Sequence, residues 1–467
     1  MLRMDDNLAV ARLVAMTKAT RPEIRRDGVW RMTERAQRRR SAPARLLPLI
    51  RPLLDDPEEA VRSEVVHAFR RCGNAAMRYV DDVARVAERY PRTAGSTGFT
   101  PEYYAVGTLM LLGDARWVDP VCAATAAPHS ALLLDTIPCN PDVFDRVSRR
   151  LVDLVATRPD HPAIPLLAHV LGSWGADAAA AIPELLAAVA GRPVGAHGFA
   201  VVRALVRIGC DDPALVPYLR ALLAEQCGDD DPDPFDVEAA HAIWRLAHDV
   251  RPLAELLGEV LDAHEPRLVR DEHHTAVSDA GGELRELVPQ ATVHLTAALA
   301  DTVEKQLQQI LAARLVWVAT SDLTTVLPTV RAALAGGGWP ALSAAGLVAD
   351  LADGAVDLAD LVPVLRTLLK DPLVRADAAR ALWRLGWAPS TLAATLVDAI
   401  EEGWHGRGGP ISTLVEMGAV EAIPRLEQLA DRDKRVVDSG VDDDIVWNDE
   451  ALQTRLREAV AALRSSR

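Results

Sequence analysis

Arginine recurs in this sequence at one position relative to a residue that would end a helix. Six residues share the pattern: Arg71, Arg207, Arg245 and Arg384 stand two places before a glycine or alanine, and Arg203 and Arg380 stand one helical turn earlier. A row of guanidinium groups would bind an acidic partner through charge-assisted hydrogen bonds. The helix dipole alone also favours arginine in a last turn, so both interpretations stay open.

Tryptophan precedes arginine at two equivalent positions. Trp244 lies in the segment AIWRL and Trp383 in ALWRL. Tryptophan beside arginine is typical of protein-binding hot spots, which predicts that both pairs belong to a partner-binding surface. Tryptophan at helical spacing also packs between helices, and the sequence leaves that alternative open.

Metal-capable side chains gather at one place, in His264, Glu265 and the segment 271–274. The segment lacks an HExxH motif and a Cys/His framework, so we predict no metal and no cofactor. The sequence also lacks a GxxxxGK[ST] loop, a GxGxxG turn after a strand and a GxSxG elbow. No catalytic residue is assigned, which favours a binding protein over an enzyme.

The elements that carry these residues emerge when the chain is aligned with itself. Residues 48–73 and 363–386 agree along their length with one two-residue gap. In each copy a proline is expected to start a first helix, an Asp-Pro pair to form a corner, and a glycine to end a second helix. Weaker copies span 182–209, 216–247, 327–353 and the segment from 423. The repeating unit is therefore predicted to be helix, turn, helix.

This unit resembles HEAT repeats, particularly the short lyase-like repeats of bacterial proteins. The resemblance implies an all-α superhelix, a HEAT-like solenoid of roughly ten antiparallel helix pairs whose second helices line a concave face. It would place the arginines and tryptophans on that face. It also implies that Arg62 and Arg375, which follow the turn aspartates, are structural members of a hydrogen-bonded ladder between adjacent repeats.

We predict that residues 1–467 form a single solenoid. Residues 1–45 would be basic N-terminal cap helices, 46–430 the repeats with inserted loops, and 431–467 an acidic loop and a C-terminal cap helix. Segments too rich in Gly, Pro and Asp for helix are predicted to be loops. These loops are 90–101, 227–236, 271–282, 403–410 and 431–449.

Charge is spread unevenly along the chain. The net charge is −15, but residues 1–51 hold 13 basic and 5 acidic residues, a net +8 that leaves −23 for the rest. A basic segment of this kind either meets an anionic partner or ties an N-terminal cap to an acidic body.

Composition limits the remaining classes of protein. Apolar residues make up 49% of the chain, and only five Phe and five Tyr are present, which favours an all-α protein. No run of 18 apolar residues occurs, and Asp5 and Asp6 interrupt the place of a secretion signal, so we expect a cytoplasmic protein without membrane contact. Five scattered cysteines without a CxxC pair indicate reduced thiols.

These observations favour a non-catalytic scaffold or adaptor that binds another macromolecule, preferably a protein, on a concave face. One alternative is an acidic inhibitor, or immunity-type regulator, of a basic toxin or enzyme. Another is a DNA-lesion glycosylase or lyase-like HEAT enzyme. The charge of −23 argues against duplex binding, although the arginine row keeps nucleic acid among the candidates. The oligomeric state is not predicted.

Overall fold

The computed structural model describes most of the chain. The described residues are 2–89, 100–124, 137–190, 196–226, 234–261, 269–296, 300, 302–352, 358–402, 409–436 and 445–465. Within them the regular structure is helical, and β structure is limited to an isolated antiparallel bridge between Arg39 and Lys434. The predicted all-α class is confirmed.

The described residues form 25 α-helices, somewhat more than ten pairs require. The first twelve are α1 Leu2–Thr17, α2 Pro22–Gln37, α3 Ala42–Ile50, α4 Glu59–Arg70, α5 Val80–Ala87, α6 Pro101–Leu111, α7 Val118–Ala123, α8 Pro141–Thr157, α9 Ile164–Ser173, α10 Ile182–Val189, α11 Ala196–Ile208 and α12 Val216–Gln226. The remainder are α13 Pro234–Ala247, α14 Arg251–Val260, α15 Asp271–Ala280, α16 Val288–Thr296, α17 Val303–Thr320, α18 Leu323–Gly336, α19 Gly338–Ala352, α20 Val362–Leu368, α21 Arg375–Arg384, α22 Pro389–Glu401, α23 Pro410–Glu416, α24 Ile423–Asp431 and α25 Ile445–Ser465.

Prolines mark some helix starts but not others. Pro363 lies in the first turn of α20, as the repeat predicts. Pro48 instead lies inside α3, so its predicted role as a helix start is wrong, because Pro43 already occupies the first turn. Pro328 likewise lies inside α18, which starts earlier because the Asp322 carboxylate accepts hydrogen bonds from two backbone N–H groups of the first turn.

The predicted loop at 271–282 is also wrong, because most of it forms α15. The backbone N–H of Arg270 donates to Nδ1 of His273 over 3.2 Å, which caps the helix. Acidic residues in the first turn complement the helix dipole. Ala276, Val277 and Ala280 are buried and anchor the apolar side. Capping and periodicity therefore outweigh a composition rich in polar residues.

The helices stack in two layers, which is the arrangement of an α-solenoid. Consecutive helices contact each other, as α8 does with α9 and α20 with α21. Alternate helices also contact each other, so that α13, α15, α17, α19, α21 and α23 form one continuous row. We call this row the second-helix layer. It is made possible by small residues, since Ala378, Ala379 and Ala381 are fully buried and let helix axes approach closely.

The chain divides into two compact units. Unit 1 comprises Met1–Tyr218 and Arg432–Ala451, and unit 2 comprises Leu219–Asp431 and Leu452–Arg467. The second-helix layer belongs to unit 2. Each unit thus consists of two separate stretches of sequence, and the boundary between the last two stretches falls within α25.

A buried ionic cluster joins the two stretches of unit 1. The Asp449 carboxylate accepts two hydrogen bonds from the Arg40 guanidinium, over 2.8 Å and 3.0 Å. It also accepts one from Arg435 and one from the backbone N–H of Val436, each over 3.0 Å. We call Arg40, Arg435 and Asp449 the clasp. Burial acts to raise the pKa of Asp449, but the bonds from Arg40 and Val436 outweigh it and the pKa is lowered.

Further contacts surround the clasp. The indole N–H of Trp447 donates to the Arg70 carbonyl over 2.7 Å, and the Asn74 N–H donates to the Glu450 carboxylate over 2.9 Å. Gly73, between them, adopts a left-handed backbone with φ +64°. Residues 432–451 therefore dock onto the end of α4 and the residues that follow it through these hydrogen bonds.

Candidate functional site

The structure places the predicted arginines at the ends of second helices. Arg207, Arg245 and Arg384 lie in the last turns of α11, α13 and α21, and Arg71 is the residue after α4. Arg207 and Arg245 are exposed, whereas Arg71 and Arg384 are partly buried. The residues fall in two units, with Arg71, Arg203 and Arg207 in unit 1 and the others in unit 2.

The arginines of unit 1 lie against neighbouring helices. Arg71 donates from Nη2 to the side-chain oxygen of Gln37 in α2 over 2.9 Å. The Arg207 side chain covers Gly172 of α9, where a Cβ would come within 3.5 Å of its Cδ. Arg203, one turn earlier, is half-buried on the same helix. These contacts stabilise helix packing and leave the exposed end of Arg207 at the surface.

Two predicted arginines of unit 2 share one carboxylate, and a predicted tryptophan stacks on one of them. Glu416 of α23 pairs with Arg380 over 3.1 Å and also with Arg384. The Arg384 guanidinium carbon lies 4.7 Å from the centre of the Trp383 ring, in cation–π contact. We call Arg380, Trp383, Arg384 and Glu416 the Arg384 cluster. Sequence reasoning found its arginines and its tryptophan but missed Glu416, which lies 32 and 36 residues further along the chain.

Asp377 adjoins this cluster on α21. Burial raises the pKa of Asp377 to about 6, against the opposing effect of Arg380. The carboxyl group therefore carries a proton more readily than an exposed aspartate. It places a titrating group within the same helix that carries the two clustered arginines.

Trp244 occupies the equivalent position on α13. Its ring stacks on His241 with the centroids 5.4 Å apart and the planes 10° from parallel. Nε2 of His241 lies 3.2 Å from the Asp279 carboxylate of α15. Burial lowers the pKa of His241, and Asp279 opposes that effect. Trp244 is half-buried, so it contributes both to packing and to the surface, while Arg245 is exposed beside it.

Arg314 is a member of the layer that sequence reasoning missed. From α17 it donates to Ser278 of α15 over 2.9 Å and to Asp350 of α19 over 2.6 Å. Each partner lies 36 residues away, which is one repeat. A search for charge pairs at the repeat spacing would have found both this bridge and Glu416.

Arg62 and Arg375 have structural roles that differ in detail from the expected ladder. Arg62 donates to the carbonyl of Asp56 in its own turn over 2.7 Å. The Asp56 carboxylate instead accepts hydrogen bonds from Nε and Nη2 of Arg25 in α2, each over 2.8 Å. Arg375 is buried and reaches Glu402, at the end of α22, over 2.8 Å. Adjacent helix pairs are thus linked, but through different partners from those predicted.

A separate set of Arg–Asp pairs links the first helices of successive repeats, or the turns next to those helices. The partners are 29 to 31 residues apart. The pairs are Arg51–Asp82, Arg150–Asp119, Arg220–Asp249 and Arg331–Asp360. These exposed pairs stabilise the stack modestly and occupy arginines that would otherwise be candidates for binding.

The metal-capable segment does not form a centre in the described part of the chain. His264 and Glu265 lie outside the described residues, and His273 is committed to capping α15. Nowhere in the described ranges do three His, Cys, Asp or Glu side chains converge as metal ligands. Burial, with Arg314 and His273, lowers the pKa of His274 to about 3 and keeps that ring neutral.

Two further predictions, the acidic loops and the absence of membrane contact, can be compared with the described residues only. Of the predicted loop at 227–236, residues 227–233 lie outside the described residues and the rest begins α13, and of the predicted loop at 431–449, residues 437–444 lie outside them and 445–449 begin α25. None of the described helices is long and apolar enough to cross a membrane.

Comparison with known proteins gives no family. The sequence matches no family model and no curated protein. It shows similarity to the complex of CpcE and CpcF of phycocyanin lyase from Nostoc, with 18% identity, 61% of this chain and 92% of that chain covered, and a TM-score of 0.28. The next two similarities are equally distant.

One is to a structure concerning a phosphorylation switch between cadherin and beta-catenin, with 13% identity, 95% and 100% of the two chains covered, and a TM-score of 0.26. The other is to a homology model of the full-length AP-3 complex, with 12% identity, 98% and 81% covered, and a TM-score of 0.28. At these scores the similarities carry no argument about function. The fold rests on the helix packing itself.

Proposed function

We propose that this chain is a HEAT-type scaffold or adaptor that binds another protein through the second-helix layer of unit 2. The Arg384 cluster is the observation that carries the proposal. Its Trp383 ring and Arg384 guanidinium are stacked, partly exposed and held on a packed helix. Tryptophan and arginine are the residue types most enriched in protein-binding hot spots, and rigid placement lowers the entropy cost of binding.

The charges of this layer favour a protein partner over a nucleic acid. Arg380 and Arg384 share Glu416, and Arg314 is paired with Asp350. Duplex binding depends on arginines and lysines whose charge neutralises phosphates. Arginines that already face carboxylates suit a protein surface of mixed charge, which can exchange one ion pair for another.

Trp244 and Arg245 supply a second candidate anchor in the same layer. Trp244 is partly exposed and stacked on His241, and Arg245 is exposed. If this layer is the concave face that the HEAT resemblance implies, both anchors would contact one partner. Arg71, Arg203 and Arg207 of unit 1 are proposed as a further, separate contact.

Affinity purification from the source organism tests the proposal. Tagged wild-type chain, the variant W383A/R384A and the control R366A would be compared by quantitative mass spectrometry. Arg366 is a matched control, since its guanidinium also lies over a tryptophan, Trp387, at 5.4 Å but belongs to the first helix of its pair.

We expect a partner protein to co-purify with wild type and with R366A. The amount of that protein recovered with W383A/R384A should be at least tenfold lower. The identified protein would then be titrated against the three purified chains by calorimetry. Equal binding by all three chains would contradict a site on the second-helix layer.

The acidic charge supports a second proposal, an inhibitor of a basic toxin or enzyme. Residues 52–467 carry a net charge of −23, which would accelerate association with a basic protein. The identified partner decides between the two. A basic partner whose association rate falls steeply with added salt would favour the inhibitor, and a neutral or acidic partner would exclude it.

A further inference from the structure

The arginines near the N-terminus of the chain fall in two groups. One group is paired with carboxylates of unit 1. It comprises Arg25 with Asp56, Arg31 with Asp27, Arg40 with Asp449 and Arg51 with Asp82. Three of these pairs, those of Arg25, Arg40 and Arg51, reach carboxylates beyond residue 51, whereas the Arg31 pair lies within α2.

The second group surrounds a cleft between α1, α2 and α3. Four arginines line it, namely Arg35, Arg38, Arg39 and Arg45, and Val10 and Leu46 contribute apolar walls. We call it the basic cleft. Its volume is about 270 Å³, close to the lower end of the range of small-molecule sites, about 300 Å³. It is therefore large enough for one compact anionic group and too small for a duplex.

The positive charge of the basic cleft is incompletely balanced. Arg38 and Arg45 are exposed, and among the side chains that the structure describes neither has an ion-pair partner. Nη1 of Arg39 lies 3.6 Å from the Asp433 carboxylate, and most of the Arg39 side chain is exposed. Like charges held around one concavity repel each other, and that repulsion is relieved when an anion enters.

The backbone that carries these arginines is fixed rather than free to adapt. The Arg40 N–H donates to the Asp433 carbonyl over 2.9 Å, and the Ser41 N–H donates to the Asp433 carboxylate over 2.9 Å. The Arg40 guanidinium is held in the clasp. The turn between α2 and α3 is thereby pinned, so the backbone from which Arg38 and Arg39 extend does not have to be ordered when an anion binds.

We propose that the basic cleft binds a phosphate dianion. A phosphate group offers three acceptor oxygens and a charge of about −1.5 to −2 at neutral pH, which matches several guanidinium forks better than a single carboxylate does. Arginine clusters are also the usual means by which proteins recognise phosphorylated side chains. Val10 and Leu46 would contact the carbon part of the group that carries the phosphate.

Calorimetric titration of the full chain tests this site. The probes are inorganic phosphate and the peptide Ala-Ala-phosphoserine-Ala-Ala, with the unphosphorylated peptide as a blank. The variant is R38A/R45A. The control is R78A/R158A, which removes the same charge from unit 1 at two other exposed arginines that have no described ion-pair partner.

We expect wild type and R78A/R158A to bind a phosphate probe with equal affinity, and R38A/R45A to bind it at least tenfold more weakly. A preference of tenfold or more for the phosphopeptide over inorganic phosphate would assign the site to a phosphorylated protein. The reverse preference would assign it to free phosphate compounds. The proposal is overturned if wild type binds neither probe, or if both double variants lose affinity equally. Neither result bears on the second-helix layer, which lies in unit 2.

Discussion

The clasp of unit 1 and the Arg384 cluster of unit 2 are built from the same chemistry in different surroundings. In the clasp, Asp449 is 0% exposed and Arg435 and Arg40 are 4% and 11% exposed. In the Arg384 cluster, Arg380, Arg384 and Glu416 are 36%, 30% and 31% exposed. Buried charges that lose a partner destabilise a protein strongly, whereas exposed pairs contribute little. The comparison separates charges that hold the fold from charges that are available to a partner.

The largest effect should follow from removing the shared carboxylate of the clasp. We expect Asp449→Ala to lower the free energy of unfolding by about 3–5 kcal/mol, since it leaves two arginines buried without their carboxylate. Guanidinium chloride denaturation measures the change. Asp145→Ala, which breaks the exposed pair with Arg149, is the control and should cost about 0.5 kcal/mol. Similar losses in the two variants would remove the distinction between buried and exposed pairs.

Gly73 in unit 1 and Gly386 in unit 2 follow equivalent second helices, and they extend the comparison to the backbone. Gly73 has φ +64°, and an added Cβ would come within 2.6 Å of both Glu450 and Val446. Gly386 has φ +93° and open space around it. We expect Gly73→Ala to cost about 2–4 kcal/mol from backbone strain and overpacking, and Gly386→Ala about 1–2 kcal/mol from strain alone. Thermal unfolding of both variants measures the difference, and equal costs would show that residues 445–451 yield easily.

A change of pH should alter the stability contributed by Asp449 of the clasp and by Asp377 beside the Arg384 cluster in opposite directions. The lowered pKa of Asp449 contributes stability that is present above its unfolded pKa, about 3.9, and is lost as the pH falls through the lower folded value. Asp377 has a folded pKa raised to about 6, so its contribution is present below about 3.9 and is lost as the pH rises through 6.

We therefore expect Asp377→Asn to stabilise the protein at pH 7.5 by about 1–2 kcal/mol, after allowing for solvent screening, and to leave it unchanged at pH 4. Asp449→Asn should destabilise it at pH 7.5 and less so at pH 3. Denaturation at these pH values checks both signs, and a loss of stability in Asp377→Asn at pH 7.5 would contradict the assigned direction.

The smallest effect on stability should come from the Arg384 cluster itself. Glu416→Ala frees two partly exposed arginines, and we expect a change of about 0.5 kcal/mol or less in the free energy of unfolding. The affinity for the partner identified by affinity purification should change by much more than this small change in stability. A large loss of stability in Glu416→Ala would instead assign the cluster to the fold.

Local sequence signals were sufficient for the helix-turn-helix unit, because proline, Asp-Pro and glycine act on the backbone where they stand. They were insufficient where a neighbouring residue competed, as Pro43 does with Pro48, and where capping by His273 made a helix from a polar segment. The arginines and tryptophans of the layer could be found by aligning repeats. Glu416 could be found only by pairing charges one repeat apart.

The clasp could not be predicted from the sequence. Arg40 and Asp449 are separated by 409 residues, far beyond the spacing of any repeat. The unbalanced charge of the first 51 residues indicated that carboxylates elsewhere would meet them, but not which carboxylates. Long-range partners of this kind are set by the tertiary fold rather than by local pattern.

That separation has a consequence for how the protein is made. A ribosome adds about 5–20 residues per second, so Arg40 would wait roughly 20–80 s for Asp449 to be synthesised. During that interval the N-terminal helices exist without residues 432–451, and Arg40 and the end of α4 lack the contacts that later bury them. Unit 1 is therefore begun first but completed only after residues 219–431 of unit 2 have been synthesised, and until then the surface that later accepts residues 432–451 is open.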